Sequence, residues 1–384
     1  MDFEFTEEQA MIRTTMRDFA EKEVAPAARE NDRNEHFPAD IVEKMGEMGF
    51  LGISLPSQYG GGDGDYISYC IMLEELAKAD VGLAASASAH LSLCGKSIVN
   101  WGSEEQKQKF LPVLATGEML GGFATTEPNV GSDIASIETL ATHRGDEWVI
   151  SGNKLWITNG GVAGVIVLVV QTDKSKGGKG ITAFLLERGT PRFSTRDIHG
   201  KFGMRTSNTA ELILEDCCLP NESMLGPVGK GMSVALSAFD SARLGVAARS
   251  IGGAQACLEA SIAYAQNRRQ FGKLIGSFQL IQGLIADMAV EIEAARFLTY
   301  RAAAKKDEGE AATIEVSMAK YYSSEMAFRA ANNAIQIHGS YGYSDDFPVE
   351  RILRDVRVST ILEGTSQIHK LIIGRAMTGI NAFA

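Results

Sequence analysis

The stretch Trp148-Val149-Ile150-Ser151-Gly152-Asn153-Lys154-Leu155-Trp156-Ile157-Thr158-Asn159-Gly160-Gly161 decides the architecture of this chain. Its β-branched and aromatic residues suit a pleated, half-buried surface, and Asn-Gly-Gly closes it with a turn signal. Similar short runs follow at 165–170, 181–186 and 211–215. Turn clusters divide them, the clearest being Lys176-Gly177-Gly178-Lys179-Gly180. No long helical run lies between these strands to build parallel crossovers. Residues 119–226 are therefore expected to form an antiparallel sheet or barrel.

On either side the period changes. In residues 1–118, Thr6 and Gln9 make a capping-box pattern, with Ile12, Met16 and Phe19 on one helical face. After the Gly60-Gly61-Gly62 loop, Ile71-Met72-Leu73-Glu74-Glu75-Leu76-Ala77 continues the helical texture. Beyond Pro227 the chain is rich in Ala, and Pro348 is its one further proline. Leu284, Met288, Ile292 and Ala295 recur at helical spacing, and the charged run 305–310 closes that helix. The expected fold class is α+β, mostly α: a helical unit (1–118), an antiparallel β unit (119–226) and a helical bundle (227–384). Such a bundle readily buries flat faces in oligomers.

Composition narrows the function. The chain has 384 residues, 37 Lys+Arg against 48 Asp+Glu, and a net charge of −11. That balance excludes a large nucleic-acid footprint, which needs a basic face. It leaves room for a phosphorylated small ligand held by a few Arg residues. The longest apolar stretch, 160–170, falls short of the roughly 20 residues of a membrane span. The acidic start, Met1-Asp2-Phe3-Glu4, is unlike a signal or transit peptide. The five Cys lack paired C-x-x-C spacing, so neither a disulfide framework nor a zinc site is expected. These features suggest a reducing compartment, the bacterial cytoplasm, or a mitochondrial matrix if a transit peptide was removed upstream. Phosphate-loop, G-x-S-x-G and H-E-x-x-H motifs are missing, and the six His are scattered.

Four segments place Gly, Thr, Trp and Arg where packing alone does not require them. They are Phe123-Ala124-Thr125-Thr126-Glu127-Pro128-Asn129-Val130-Gly131-Ser132-Asp133, Lys154-Leu155-Trp156-Ile157-Thr158-Asn159-Gly160-Gly161, Asn267-Arg268-Arg269-Gln270-Phe271-Gly272-Lys273, and Gln336-Ile337-His338-Gly339-Ser340-Tyr341-Gly342-Tyr343 joined with Ile361-Leu362-Glu363-Gly364-Thr365-Ser366-Gln367. Taken singly, each has a plain reading: a polar loop, a core Trp, a solvated charge run, a surface Glu. Each also has a chemical one. Trp156 and Thr158 lie two apart on a strand and share a face, which suits a planar heteroaromatic ring. Clustered Arg suits a pyrophosphate. Glu363 stands in an apolar context, which disfavours its charged form and makes it a useful base.

Together, in this order, these segments resemble the acyl-CoA dehydrogenase family along essentially the whole chain. T-E-P-x-x-G-S-D, W-I-T-N-G-G, R-x-x-F-G-K, Q-I-H-G-x-Y-G-Y and E-G-T-x-Q all occur. The resemblance implies an N-terminal helical domain, a middle β-domain and a C-terminal four-helix bundle, one FAD per subunit, and a homotetramer. It implies removal of an α-proton from an acyl-CoA thioester by Glu363, with flavin N5 taking the β-hydride to leave the trans-2-enoyl-CoA. Electrons then pass to an electron-transferring flavoprotein. Because the α-proton is weakly acidic, the thioester oxygen must also be polarised by fixed donors. In the family these are the backbone N–H of the catalytic Glu and the ribityl 2′-OH of the flavin.

By position, Phe123, Thr125, Thr126, Trp156 and Thr158 match residues lining the isoalloxazine ring, and Thr365 and Gln367 match cofactor contacts after the base. Arg268, Phe271, Gln279, Gln336, Ile337 and Gly339 match contacts to the pyrophosphate and adenosine arm, some from a neighbouring subunit. Ser132, Asp240, Arg243 and Gly364 match acyl-CoA contacts. Some members carry the base before the Arg equivalent to Arg243. Ala242 stands there, so the E-G-T arrangement is the consistent one. Leu362, where many straight-chain members have Tyr, and Gln270, where Thr is common, leave the acyl chain open between short- or medium-chain and isobutyryl-like substrates. Rival readings are an oxygen-reactive flavin oxidase or monooxygenase of the same fold, and a non-catalytic flavin- or CoA-binding protein.

Overall fold

A computed structural model describes residues 4–382; Met1-Asp2-Phe3 of the acidic start lie outside the described residues. Helix α1 (Glu7–Phe19) opens on the capping box, with Gln9 N bound to Thr6 Oγ1 at 3.2 Å and Thr6 N bound to Gln9 Oε1 at 3.1 Å. It runs through a wide turn into α2 (Ala25–Arg33), and α3 (Ala39–Glu47) follows. Helices α4 (Tyr66–Ala79) and α5 (Val81–Ser88) are capped by the Asp65 and Asp80 carboxylates, and α6 (Lys96–Trp101) and α7 (Glu104–Ala115) complete the helical first part. Arg13 and Arg17 of α1 grip the buried Glu75 of α4 at 2.9 and 2.7 Å.

The middle part is a seven-stranded sheet. Its strands are β1 (Gly121–Ala124), β2 (Leu140–Arg144), β3 (Glu147–Thr158), β4 (Val165–Gln171), β5 (Ile181–Glu187), β6 (Phe193–Asp197) and β7 (Thr209–Pro220). The pairs β2–β3, β3–β7, β4–β5 and β6–β7 are antiparallel, as the turn-punctuated sequence predicts. One pairing departs from that expectation: β1 runs parallel to β4 from Gly121/Val165 to Ala124/Leu168, and β2 touches β4 in parallel at Leu140/Gln171. The return path is supplied by the β2–β3 hairpin rather than by a crossover helix, so the absence of a helix did not forbid it. Burial of Ile150, Leu168, Val170, Phe184, Leu186 and Leu212 gives the sheet its own core.

Helices α8 (Gly231–Asn267), α9 (Gln279–Asp307) and α10 (Thr313–His338) pack on one another, and α11 (Val349–Arg357) and α12 (Ser366–Thr378) lie against α10. A small hairpin of β8 (Arg269–Gln270) and β9 (Lys273–Leu274) joins α8 to α9. Met288, Ile292 and Ala295 are buried, and α9 ends within the charged run. One continuous apolar core includes residues of both helical parts, because α4 lies along α8. Glu74 of α4 fixes that contact, receiving Arg296 Nη2 at 2.8 Å and the Tyr300 hydroxyl at 2.9 Å from α9.

Candidate active site

Glu363 lies on the turn between α11 and α12 in the left-handed region, at φ 53°, and Gly364 follows at φ 92°. A non-glycine residue there is uncommon and persists only when its surroundings hold it. Here three contacts do so. Arg243 Nε of α8 donates to the Glu363 carbonyl at 3.2 Å, Lys320 Nζ of α10 donates to the Gly364 carbonyl at 2.6 Å, and Thr365 Oγ1 caps α12 by accepting from Ile368 N at 3.3 Å. Glycine is required at 364: besides the positive φ, a Cβ would come within 3.2 Å of His369 Nε2.

Glu363 is thereby left half-buried. Its Oε2 is enclosed and has no hydrogen-bond partner. Burial raises its pKa above the ordinary Glu value, while Arg249, Arg243 and Lys320 pull the other way. Burial draws the Lys320 ammonium down to about 7, against the attraction of Glu363. The nearby His369 is likewise drawn down by burial, to about 3, and stays neutral. The result is a partly enclosed carboxylate that is electrostatically supported, the state a general base needs near neutral pH.

Arg243, itself buried, also binds Asp240 Oδ1 at 3.0 Å, and Asp240 Oδ2 accepts from Thr313 Oγ1 at 2.8 Å. Phe239 packs edge-on against Phe123 of β1, with ring centroids 5.9 Å apart. The sheet's edge and the Glu363 turn are therefore joined through adjacent residues of α8.

On the sheet, Trp156 is 57% exposed and takes φ 63°, so the core-Trp reading is excluded. A bulge between Lys154 and Ile157 interrupts the β3–β7 register here, and Trp156 and Thr158 both remain accessible on either side of the buried Ile157. That bulge re-aims Trp156 outward, with Ile157 buried and Thr158 half-buried. Thr125 is buried and Thr126 half-buried, and the hydroxyls of Thr126 and Thr158 make no hydrogen bond among the described residues. Under this loop lies an ion pair that the sequence did not reveal as part of the site. Lys154 Nζ reaches Glu127 Oε1 at 2.7 Å and the Thr125 carbonyl at 3.1 Å, with both side chains essentially out of solvent. Burial draws Lys154 down to about 8. Burial also works to raise Glu127, but Lys154 and the donors at Thr139 and Glu138 outweigh it and hold Glu127 below its ordinary value.

The remaining sequence-selected residues form a separate, exposed group. Arg268, Phe271 (φ 50°) and Gln279 lie on and beside the β8–β9 hairpin. Gln336 and Gly339 are exposed at the end of α10, where Ile337 is buried. The Arg268 guanidinium lies 5.8 Å from the Tyr341 ring centroid and brings these two pieces together. Among the described residues no hydrogen bond or ion pair connects this group to Glu363. Ser132 and Gln367 are exposed. Lys320 and Arg249 were missed in sequence. Their one signal is a lone cation within an apolar helical run, such as Val246-Ala247-Ala248-Arg249.

Residues 6–118, 122–217 and 229–378 match the N-terminal, middle and C-terminal domains of acyl-CoA dehydrogenase, respectively. The chain is 44% identical over 373 residues to the short-chain specific acyl-CoA dehydrogenase of Clostridium acetobutylicum, covering 97% of this chain and 98% of that one. It superposes on butyryl-CoA dehydrogenase from Megasphaera elsdenii with a TM-score of 0.96 at 42% identity, covering 98% of this chain and 100% of the other. A chain from a structure reported for the electron transferring flavoprotein of Acidaminococcus fermentans gives a TM-score of 0.97 at 44% identity, covering 98% and 100%.

Proposed function

The chain belongs to the acyl-CoA dehydrogenase family, FAD-dependent oxidoreductases, and from that membership we propose that it dehydrogenates an acyl-CoA thioester between Cα and Cβ, with Glu363 as the base. The observation that carries this reading is the unpartnered Glu363 carboxylate, its Oε2 enclosed, on a turn pinned by Arg243 and Lys320. The residues present fit the cofactor. Trp156 offers an exposed aromatic plate, the hydroxyls of Thr126 and Thr158 are unengaged, and Arg268 stands exposed for a pyrophosphate.

Bound FAD supplies the hydride acceptor. The protein's own part is to hold the thioester with its Cα against Glu363, to take the proton on the carboxylate, and to keep water away from that transfer. The backbone N–H of Glu363 belongs to a turn held by two cations, a preorganised donor for the thioester oxygen. Arg243, bound to both the Glu363 carbonyl and Asp240, positions that turn. Thr365 and Gln367 extend the cofactor contact after the base, Phe271, Gln279, Gln336, Ile337 and Gly339 its adenosine side, and Ser132 and Gly364 the acyl-CoA side.

We also read residues 1–118, 119–226 and 227–384 as the three domains, the assembly as a homotetramer, and an electron-transferring flavoprotein as the acceptor. The exposed Leu280 and Val290 of α9 support an apolar subunit contact. Among the described residues no helix is long and apolar enough to cross a membrane. The test is anaerobic titration of the purified flavoprotein with acyl-CoAs, in which reduction of the flavin is the expected result.

A further inference from the structure

Arg249 acts on Glu363 through its charge, yet it binds nothing. It lies in α8, in the run Val246-Ala247-Ala248-Arg249-Ser250-Ile251-Gly252-Gly253, and is 4% exposed. Its Nε is enclosed without a partner, and none of its N–H groups meets an acceptor among the described residues. A guanidinium presents five donors in a fixed fork, and leaving it dry and unpaired is among the costliest arrangements a core can hold. If packing were its purpose, a Met of similar reach would serve without that cost.

Its surroundings indicate what it faces. Gly245, one turn earlier on the same helix face, is so close to α4 and α5 that a Cβ there would strike the Tyr69 hydroxyl and Ser88 Oγ. A Cβ at Gly252, nearly a turn later, would strike the Glu74 carbonyl. Arg249 therefore emerges between these two contacts. The titratable groups that act on it or feel it are Glu363 from the turn, Tyr69 from α4 and Lys320 from α10. Tyr69 is already bound to Ser88 Oγ at 2.8 Å. Lys320 is engaged with the Gly364 carbonyl, and Arg243 with Glu363 and Asp240. Of the three cations that influence Glu363, Arg249 alone keeps its donors free. Nor does it pair with Glu363, since no N···O contact of 4.0 Å or less joins them. Two opposite charges, the buried Arg249 without a hydrogen-bond partner and Glu363 with its Oε2 enclosed and unpartnered, thus lie near enough to influence one another without pairing.

We propose that Arg249 recognises a carboxylate at the far end of the acyl chain, so that the preferred substrate is the CoA monothioester of a dicarboxylic acid. A carboxylate matches the guanidinium fork bidentately and supplies the counter-charge the helix lacks. The thioester end would then lie at Glu363 and the chain would span the space between the two groups. This rests on the reading of Glu363 as the base. Arg249 would be a specificity residue and would take no part in the proton transfer.

The test uses the full-length FAD-loaded enzyme with glutaryl- and adipyl-CoA set against pentanoyl- and hexanoyl-CoA, matched for carbon number. The wild type should favour the carboxylated member of each pair in kcat/KM. Arg249→Met should erase that preference, the carboxylated-to-methyl-ended ratio of kcat/KM falling about 10²-fold or more, beyond any loss common to both kinds of chain from the weakened support of Glu363. Arg249→Lys, which keeps the charge, should fall between. A role confined to tuning Glu363 would change both kinds of chain equally and leave their ratio intact. That result, or a wild-type preference for methyl-ended chains, overturns the proposal. Calorimetric binding of the same pairs to Glu363→Gln, which needs no turnover, should show the same preference. If no chain reduces the flavin but calorimetry still favours the carboxylated ligands, the dehydrogenase reading fails and this one stands.

Discussion

Arg243 Nε donates to the main-chain carbonyl of Glu363 at 3.2 Å, so α8 holds Glu363 by its backbone and leaves its carboxylate free. The same guanidinium is tied to Asp240 at 3.0 Å, which makes it a rigid strut. A base that must meet one hydrogen of a bound thioester depends on that kind of placement, since a misplacement of about 1 Å costs on the order of 10²-fold in rate.

Arg243→Ala should therefore lower kcat by about 10²-fold, with FAD content unchanged. Steady-state kinetics on flavin-quantified enzyme decides this. An effect confined to KM would make Arg243 a binding residue instead of a positioning one.

Gly364→Ala places a Cβ at φ 92° and within 3.2 Å of His369 Nε2. The expected loss is about 1–3 kcal/mol of stability together with impaired turnover, as backbone strain moves the Glu363 turn. Thermal denaturation of the FAD-loaded variant measures the first part.

The Glu127–Lys154 pair beneath the Thr125-Thr126 loop predicts asymmetric mutational costs. Lys154→Met alone leaves a buried carboxylate unpaired and should cost about 3–5 kcal/mol. Adding Glu127→Gln should recover much of it, because the uncompensated charge disappears. Denaturant unfolding of the two variants would show equal stabilities if the pair were immaterial.

The pH dependence follows from the direction of the Glu363 shift. Burial raises its pKa, and the base works only when ionised, so kcat/KM should fall as pH drops through a value above the ordinary Glu range of about 4.3. Lys320 holds that value down. Lys320→Met should therefore move the acidic limb to higher pH, and a limb moving lower would contradict the sign.

Much of this architecture was legible in the sequence because periodicity and turn chemistry are local. The runs 148–151, 165–170, 181–186 and 211–215 lie in strands, and the Leu284-to-Ala295 spacing lies in one helix. The parallel β1–β4 pairing was not legible, since it depends on where a hairpin returns the chain. Nor was the bulge that turns Trp156 outward, which only the register with β7 reveals. Glu363 could be singled out from its apolar neighbours and the motif. Lys320 and Arg249 could not, because they reach it from helices more than forty residues away in the chain, and only the packing of α8 against α10 brings the three together.

The proton transfer is assigned to the Glu363 carboxylate, whose Oε2 is enclosed and unpartnered. Purified Glu363→Gln, loaded with FAD and titrated anaerobically with acyl-CoA, tests it most directly. The variant should bind the thioester, as calorimetry would register, and its flavin absorbance near 450 nm should remain unbleached where the wild type is reduced. Substantial bleaching of Glu363→Gln by the same acyl-CoA would contradict the assignment.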